Sequence, residues 1–422
     1  MTRILIQNGR VIDPSQEMDQ MIDLLVEDGK IAGYEGQAEQ VDQVIDATGK
    51  IVAPGLIDLS AQLGEPGREE DETILTATAA AVAGGFTSIL CLPNTEPPID
   101  SQASVEFIHQ KAARANNCHV LVAGCVSKDR AGKELAEIGS LVEAGAVALT
   151  DAPRPIQNSE LLRRALEYCL MFDKPILNHT EDWELSHDGV MHEGKISMVL
   201  ALPGLPTEAE DVMASRDIRL AESTGGRLHL LNISTAGSVD QVRRVKARGI
   251  NITAGIVPIN AVLTDECLRG FDSNYKLNPP LRSQEHVDAC LAGLADGTID
   301  VICSGHTPRA SEKKMLELDL APFGMVALET TLGLVVTKLI EPGHLDWMSA
   351  LAKMTIHPAR VLGIDRGTLR IGADADIVII DPHASWTVDP RKFRSKSINT
   401  PLAGWTLRGR AVQTIVAGVP KL

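Results

Sequence analysis

The stretch PGLIDLSAQLGEPG, residues 54–67, decides the fold of this chain, because an apolar β-strand in it leads directly into a loop rich in glycine and proline. Leu56, Ile57 and Leu59 form a nearly continuous apolar run, which is typical of a parallel strand buried on both faces. Residues two apart in a strand point the same way, so Ser60 and Gln62 are predicted to share one face. Their neutral oxygen donors are poor zinc ligands.

Seven further apolar segments follow, with amphipathic helices between them. Strand candidates begin near Leu56, Thr87, Val120, Ala146, Pro175, Leu228, Ile252 and Val301. Eight strand–helix units predict an α/β fold, a closed parallel (β/α)8 TIM-type barrel over residues 54–364. The alternative is an open doubly wound sheet, but no GxGxxG motif follows the first strand.

Short strand patterns at both ends of the chain predict a second, smaller domain. Residues 1–53 and 365–422 are expected to form one small β-sandwich between them. The steps Asn8-Gly9 and Asp28-Gly29 are typical of tight hairpins. The segment Thr307–Pro322, polar and then acidic, follows the eighth strand and is predicted to be a long mobile loop.

The composition excludes several classes of partner. The net charge is −16 and only 3% of the 422 residues are aromatic, so neither nucleic acid nor an anionic membrane is expected as a partner. No apolar run is long enough to cross a bilayer and no signal-peptide pattern opens the chain, which predicts a cytoplasmic location. The seven cysteines are scattered without a CxxC pair, as expected of reduced and mostly buried thiols.

Chemistry in such a barrel lies at the carboxyl ends of its strands, so polar residues at those ends are the candidate site. They are Asn94 after the second strand, Asp151 after the fourth, His179 after the fifth, Asn232 after the sixth, and His306, next to Gly305, after the eighth. Considered singly, Asn94 is as typical of a turn residue as of a substrate contact, and a lone Asp such as Asp151 is more often a helix or turn cap.

Several of these segments together resemble the dihydroorotase family of the amidohydrolase superfamily. The resemblance rests on residues 54–67 and on the segments MHEGK (191–195), YKLNPPLR (275–282) and APFG (321–324). It implies a (β/α)8 barrel that interconverts carbamoyl-aspartate and dihydroorotate. In that family a metal-bound hydroxide attacks a ring amide, because the metal lowers the pKa of bound water to about 7.

The resemblance also implies that most of the zinc site is missing here. The family has His-x-His, then Arg, where this chain has Ser60, Gln62 and Gly64. It has His where this chain has Asn232, and an Asp that is both ligand and general base where this chain has Gly305. Arg309 stands where another His is usual.

Asp151 and His179 remain as residual metal candidates, and Asn94, Asn278 and His306 as vestigial substrate contacts. His229 is expected to pack between strand and helix.

We therefore expect no catalytic residues, no bound zinc and no enzymatic activity. The chain resembles inactive dihydroorotase-like proteins of pyrimidine biosynthesis that partner aspartate transcarbamoylase, which implies a hetero- or homo-oligomer. One alternative is a divergent cyclic-amide hydrolase that uses Asp151, His179 and His306 with one metal or none. Another is a binding protein that holds a small anion or amide through Asn94, Asn278, His306 and Arg154.

Overall fold

The computed structural model describes residues 2–34 and 41–422; Met1 and residues 35–40 of the predicted first segment lie outside the described residues. Its strands are β1 (Arg3–Gln7), β2 (Arg10–Asp13), β3 (Met18–Met21), β4 (Leu24–Glu27), β5 (Lys30–Gly33), β6 (Gln43–Asp46), β7 (Ile51–Pro54), β8 (Leu56–Ala61), β9 (Phe86–Cys91), β10 (His119–Gly124), β11 (Ala146–Leu149), β12 (Ile176–His179), β13 (Met191–His192), β14 (Gly204–Leu205), β15 (Leu228–Leu231), β16 (Ile252–Ile256), β17 (Val301–Ile302), β18 (Ile377–Thr387), β19 (Thr406–Val416) and β20 (Val419–Pro420).

The α-helices are α1 (Ile74–Ala83), α2 (Gln102–Ala115), α3 (Ile138–Glu143), α4 (Ser159–Cys169), α5 (Trp183–Ser186), α6 (Lys195–Leu200), α7 (Thr207–Thr224), α8 (Ala236–Ala247), α9 (Gln284–Ala295), α10 (Ser311–Lys314), α11 (Thr331–Val335), α12 (Trp347–Met354) and α13 (Ile356–Leu362). No helix among the described residues combines the length and the apolar character needed to span a bilayer.

The central sheet has eight strands in the order β17-β16-β15-β12-β11-β10-β9-β8, and their pairings are parallel. The gap between the first and last of these strands is narrowed by a parallel bridge between Ala61 and His306. In addition, the Gln62 main-chain N–H donates to the His306 carbonyl oxygen over 2.9 Å. The predicted (β/α)8 barrel is therefore confirmed, and all eight predicted strands lie in it.

Asp58 is a second link across the same gap. Its carboxylate accepts hydrogen bonds from the Ser304 amide at 2.5 Å and from the Ser304 hydroxyl at 2.8 Å. The side chain is fully buried, and burial raises the pKa of Asp58 above its usual value. A buried carboxylate persists only when hydrogen bonds satisfy it, so this contact fixes β8 against the segment after β17.

His229 lies inside the barrel, so its predicted position between strand and helix is wrong. Residues alternate along β15, and Leu231, two positions on, belongs to the apolar cluster that fills the barrel. The His229 ring bonds through Nδ1 to the Thr253 hydroxyl over 2.8 Å. Burial lowers the pKa of His229 to about 3, so the ring is neutral.

The strand patterns at the chain ends form two sheets, ordered β5-β4-β1-β6 and β20-β19-β18-β7-β2-β3. The second sheet joins both ends of the chain. The predicted Asp28-Gly29 hairpin is confirmed between β4 and β5, with both residues at positive φ. The Asn8-Gly9 hairpin is wrong, because β1 and β2 lie in different sheets. The boundaries 1–53 and 365–422 stay a prediction.

The segment Thr307–Pro322 is more ordered than predicted. It contains α10, and the main-chain carbonyl of Lys314 accepts a hydrogen bond from the Ser273 hydroxyl. Leu318 is 3% exposed, so an apolar side chain also anchors this segment to the barrel. The segment thereby holds one wall of the cavity described next.

Candidate active site

A cavity of about 320 Å³ opens at the carboxyl ends of the barrel strands. Sites for small molecules in barrels are typically of this size and at this end. Its polar lining comes from several strand ends and loops: Ser60, Gln62, His179, Asn232, Asn260, Asn278, Thr307 and Arg309. Among the described residues that line it, none is Asp or Glu.

Ser60 and Gln62 reach the cavity because β8 is irregular near its end. Ile57 and Leu59 point into the barrel, and strict alternation would turn Ser60 outward. The pairing of β8 with β9 shifts register between Asp58 and Ala61, as in a β-bulge, which changes the phase of the strand. The predicted shared face of Ser60 and Gln62 is thus at the cavity.

Neutral side chains at the cavity floor bond to one another in two pairs. Asn232 Nδ2 donates to Ser60 Oγ over 3.0 Å, and Asn94 Nδ2 donates to Gln62 Oε1 over 2.9 Å. Asn94 itself lies behind Gln62, outside the cavity lining. Asn232 has a φ of 58°, a left-handed conformation that Asn tolerates, and its Oδ1 is buried without a partner among the described residues. This orphaned atom is available to a ligand.

The two glycines that replace charged family residues have no room for a side chain. Gly305 has a φ of 66°, and a Cβ on it would lie 2.6 Å from Val257 Cγ2. Gly64 has a φ of 71°, and a Cβ there would lie 2.5 Å from the Glu72 carbonyl oxygen. Backbone and packing both favour glycine at these positions.

Asp151 is held away from the cavity. Its Oδ1 accepts from the main-chain N–H groups of Val126 and Ser127, at 2.9 and 3.1 Å, and its Oδ2 accepts from the Ser127 hydroxyl at 2.5 Å. It is 1% exposed and does not line the cavity. Burial raises the pKa of Asp151 above its usual value, despite these hydrogen bonds.

His179 lines the cavity and is held by a carboxylate that sequence reasoning missed. Its Nε2 lies 2.9 Å from Glu181 Oε2, and Glu181 also accepts from Asn278 Nδ2 at 2.7 Å and from Ser186 Oγ at 2.6 Å. Burial would raise the pKa of Glu181, but these contacts, His179 first, outweigh it and lower the pKa to about 2. Glu181 follows His179 by two positions, and this spacing is the signal in the sequence that could have identified Glu181 as its partner.

His306 does not line the cavity. Its side chain is 0% exposed, its Nε2 lies 3.5 Å from Glu72 Oε2, and its Nδ1 accepts from the Ala327 amide at 3.2 Å. Glu72 in turn accepts hydrogen bonds from the Ser395 hydroxyl and the Lys396 amide. This position ties the end of the barrel to the C-terminal segment. The buried His306 side chain does not reach the cavity, where the predicted contact with a substrate would have to be made.

The donor set does not fit the zinc that the resemblance implies. Ser60, Gln62 and Asn232 are neutral and mutually paired, Gly305 has no side chain, and both Asp151 oxygens are bonded elsewhere. A catalytic zinc typically needs three protein ligands from His, Cys, Asp or Glu. Over residues 2–34 and 41–422 no group of three such side chains is placed to hold a metal.

The chain matches known families over most of its length. Residues 49–238 match the family described as dihydro-orotase-like, and residues 324–420 match an amidohydrolase family. It is 49% identical to a dihydroorotase of Pelotomaculum thermopropionicum, covering 99% of this chain and 97% of the relative. It is 46% identical to a dihydroorotase of Syntrophus aciditrophicus, covering 99% and 98%.

A solved L-hydantoinase (dihydropyrimidinase) from Arthrobacter aurescens superposes with a TM-score of 0.89 at 23% identity, covering 100% of this chain and 96% of that one. At that identity the superposition shows the fold alone. The relatives named dihydroorotase are named as enzymes, at close to half identity over nearly the full length. The prediction that this chain is not an enzyme is therefore wrong.

Proposed function

Because the chain belongs to the dihydroorotase family, we propose that it opens and closes the ring of a cyclic amide of the dihydroorotate type. In the opening direction one water is added: its oxygen bonds to the ring carbonyl carbon, and the C–N bond breaks. The ring nitrogen takes one proton of the water, the carbon becomes a carboxylate, and the second proton is released to solvent. The closing direction reverses each of these changes.

The observation that carries this proposal is the polar cavity itself. Its floor is built from amide and hydroxyl groups, and the Asn232 Oδ1 atom is buried there without a partner among the described residues. Burying such a group without a hydrogen-bond partner costs free energy, and a bound ligand can supply the partner. A cyclic amide offers both N–H donors and carbonyl acceptors, so it is complementary to this floor.

His179 is the side chain best placed to handle the proton. The Glu181 carboxylate holds its Nε2, and no described residue bonds to its Nδ1. A carboxylate that binds one ring nitrogen fixes the orientation of the ring. It also determines whether the other nitrogen carries a proton. Asn278 and Ser186 fix the carboxylate in turn.

We further propose that the chain works without zinc at this site. The support is the chemistry of the donor set: neutral, paired oxygens and amides at Ser60, Gln62 and Asn232, with glycine at 305. Activity is therefore expected to survive dialysis against a chelator and to gain nothing from added zinc.

The test is an assay of purified, chelator-treated protein with dihydroorotate and with carbamoyl-aspartate, followed by chromatography of both compounds. His179→Gln should lower the rate by about 10²- to 10⁴-fold, the usual contribution of a general acid or base. His187→Gln is the matched control, because His187 is an exposed histidine outside the cavity. The absence of turnover in either direction would refute the proposal.

Association with aspartate transcarbamoylase and assembly into a hetero- or homo-oligomer stay predictions that rest on the resemblance alone. Size-exclusion chromatography of this chain with and without that enzyme, with both reactions assayed in each fraction, would test it. Co-elution in one peak is the expected result, and separate elution at micromolar concentration would contradict it.

A further inference from the structure

A second cavity, of about 330 Å³, opens at the amino-terminal ends of the barrel strands, opposite the candidate active site. It lies between α13 and the starts of β12, β15, β16 and β17. We call it the lower cavity and define it by six of its lining residues: Arg227, His229, Thr253, Asp300, His357 and Arg360. This end of a barrel usually serves stability alone, and the proposed reaction uses none of these residues.

The floor of the lower cavity is polar but carries no charge. The His229 ring lies there with Nδ1 bonded to the Thr253 hydroxyl over 2.8 Å, and burial keeps the ring neutral. Asn251 adds a side-chain amide to the lining. Imidazole, hydroxyl and amide groups all exchange hydrogen bonds with hydroxyl groups, so this floor suits a hydroxylated ligand better than an apolar one.

The rim of the lower cavity carries more positive than negative charge. Arg227 is paired with Asp173 at 3.1 Å, and Lys246 Nζ is paired with Asp300 at 2.6 Å. The second oxygen of Asp300 accepts a main-chain amide at 2.9 Å, so this carboxylate is fully occupied. Arg360 is exposed at the rim, and no described residue forms an ion pair or a hydrogen bond with its guanidinium.

A buried lysine behind the rim adds to this excess of charge. Lys353 is 4% exposed, and its Nζ donates to the Ile299 carbonyl oxygen at 2.5 Å, directly beside Asp300. Burial lowers the pKa of Lys353 to about 8, so the ammonium group still predominates at neutral pH. No described carboxylate pairs with it. Arg360 and Lys353 therefore lack a counter-ion, although the chain as a whole has a net charge of −16.

Arg360 and His357 lie three residues apart on α13 and therefore on one face of that helix. His357 Nδ1 lies 3.0 Å from the Asp300 carbonyl oxygen, so Nδ1 carries the proton and Nε2 is left as an acceptor. Burial lowers the pKa of His357, which favours this neutral ring. A phosphate group that keeps one O–H is complementary to both side chains, whereas sulfate has no O–H and leaves Nε2 unpaired.

We propose that the lower cavity binds the phosphate group of a small compound, with Arg360 as the donor and His357 as the acceptor. The ligand is a phosphate monoester or free phosphate, which share this chemistry, and the polar floor holds the hydroxyl groups of a monoester. Arg227 Nη2 donates to the Arg360 main-chain carbonyl at 2.9 Å, which fixes this part of α13 against the strand ends. The site lies at the other end of the barrel from the proposed reaction, so neither proposal depends on the other.

Calorimetry on the full chain at pH 6 tests this assignment with inorganic phosphate, ribose 5-phosphate and sulfate. About half of a phosphate monoester keeps its O–H at that pH, because its second pKa is about 6. Both phosphates should bind about 10-fold or more tightly than sulfate, the loss expected when one hydrogen bond to a charged group is missing. Tighter binding of ribose 5-phosphate than of inorganic phosphate would identify a monoester as the ligand, and the reverse order would identify free phosphate.

Arg360→Met should weaken the binding of both phosphates about 10- to 150-fold, and His357→Phe should remove the preference over sulfate. Arg114→Met is the matched control, because Arg114 is also an exposed arginine in the last turn of a helix, α2, but lies outside the lower cavity. It should keep the full affinity. Since Arg360 is exposed, its variant decides the matter if His357→Phe fails to fold.

Wild-type protein that binds neither phosphate, or binds sulfate equally well, would overturn the proposal, as would phosphate affinity that survives Arg360→Met. Loss of phosphate affinity in His179→Gln but not in Arg360→Met would place the anion in the active-site cavity and would also overturn it.

Discussion

Asn232 Nδ2 and Ser60 Oγ lie 3.0 Å apart and join the ends of the sixth and first barrel strands by a neutral hydrogen bond. The resemblance places both residues at positions where the family has histidine ligands. The contact keeps these two strand ends together without a metal ion. It also leaves the Asn232 Oδ1 atom as the unsatisfied group of the cavity floor.

Restoring ligands at this contact should bring back metal binding. With Ser60→His, Gln62→His and Asn232→His, three imidazoles join His179 at the cavity, enough ligands for a tetrahedral zinc. We expect about one equivalent of zinc to remain after dialysis, measured by elemental analysis, with little gain in activity, because the residues that orient such ligands are also needed. The same three positions changed to alanine are the control. A folded histidine variant that stays metal-free would show that these positions do not share one site.

Gly305→Ala should destabilise the protein by about 2 to 4 kcal/mol, from a left-handed backbone and an overpacked contact with Val257. Gly225→Ala is the control, since Gly225 has a φ of 75° but a Cβ at that position would meet nothing within 4 Å, and it should cost only about 1 to 2 kcal/mol. Urea unfolding of both variants measures the difference. Equal losses would show that Val257 does not block position 305.

Glu181 should make stability depend on pH in the acid range. Its pKa is about 2 in the folded protein, below the usual 4.5, so its contribution is complete above about pH 4.5 and is lost as the pH falls towards 2. The contribution is on the order of 3 kcal/mol, because each unit of pKa shift corresponds to about 1.4 kcal/mol. Unfolding of wild type and Glu181→Gln at several pH values should converge in acid.

Glu160 provides a contrast for that measurement. The pKa of Glu160 is also about 2, lowered by Arg163 and Arg164, but the side chain is on the surface. Surface pairs are screened by salt, so the effect of Glu160→Gln should disappear in about 1 M salt while that of Glu181→Gln persists. Equal salt sensitivity of the two variants would argue against a buried role for Glu181.

His306→Gln should affect stability rather than binding. The change removes the buried imidazole beside Glu72, but this carboxylate keeps its hydrogen bonds from Ser395 and Lys396, so the expected cost is about 1 to 3 kcal/mol. Dihydroorotate affinity should stay within about twofold, because His306 does not line the cavity. A large loss of affinity without a loss of stability would restore the substrate-contact role predicted from the resemblance.

Much of the fold was predictable because it depends on local patterns. Apolar runs with glycine and proline at their ends placed all eight barrel strands, and the Asp28-Gly29 step placed a hairpin correctly. The Asn8-Gly9 step has the same turn chemistry but leads from one sheet to another. A turn sequence specifies a local bend. Which strands pair with each other depends on how whole sheets bury their apolar faces, and a short stretch of sequence does not contain that information.

The sequence by itself determined which chemical groups stand at the strand ends, and the resemblance to the family implies that the neutral residues Ser60, Gln62 and Asn232 replace strong metal ligands. Only the tertiary structure decided where those groups point. A bulge in β8 turned Ser60 inward, a left-handed residue placed Asn232 at the cavity, and a loop brought Arg309 to its wall. Side-chain direction at an irregular strand end depends on backbone angles and neighbouring contacts, and these are set by packing across the whole barrel.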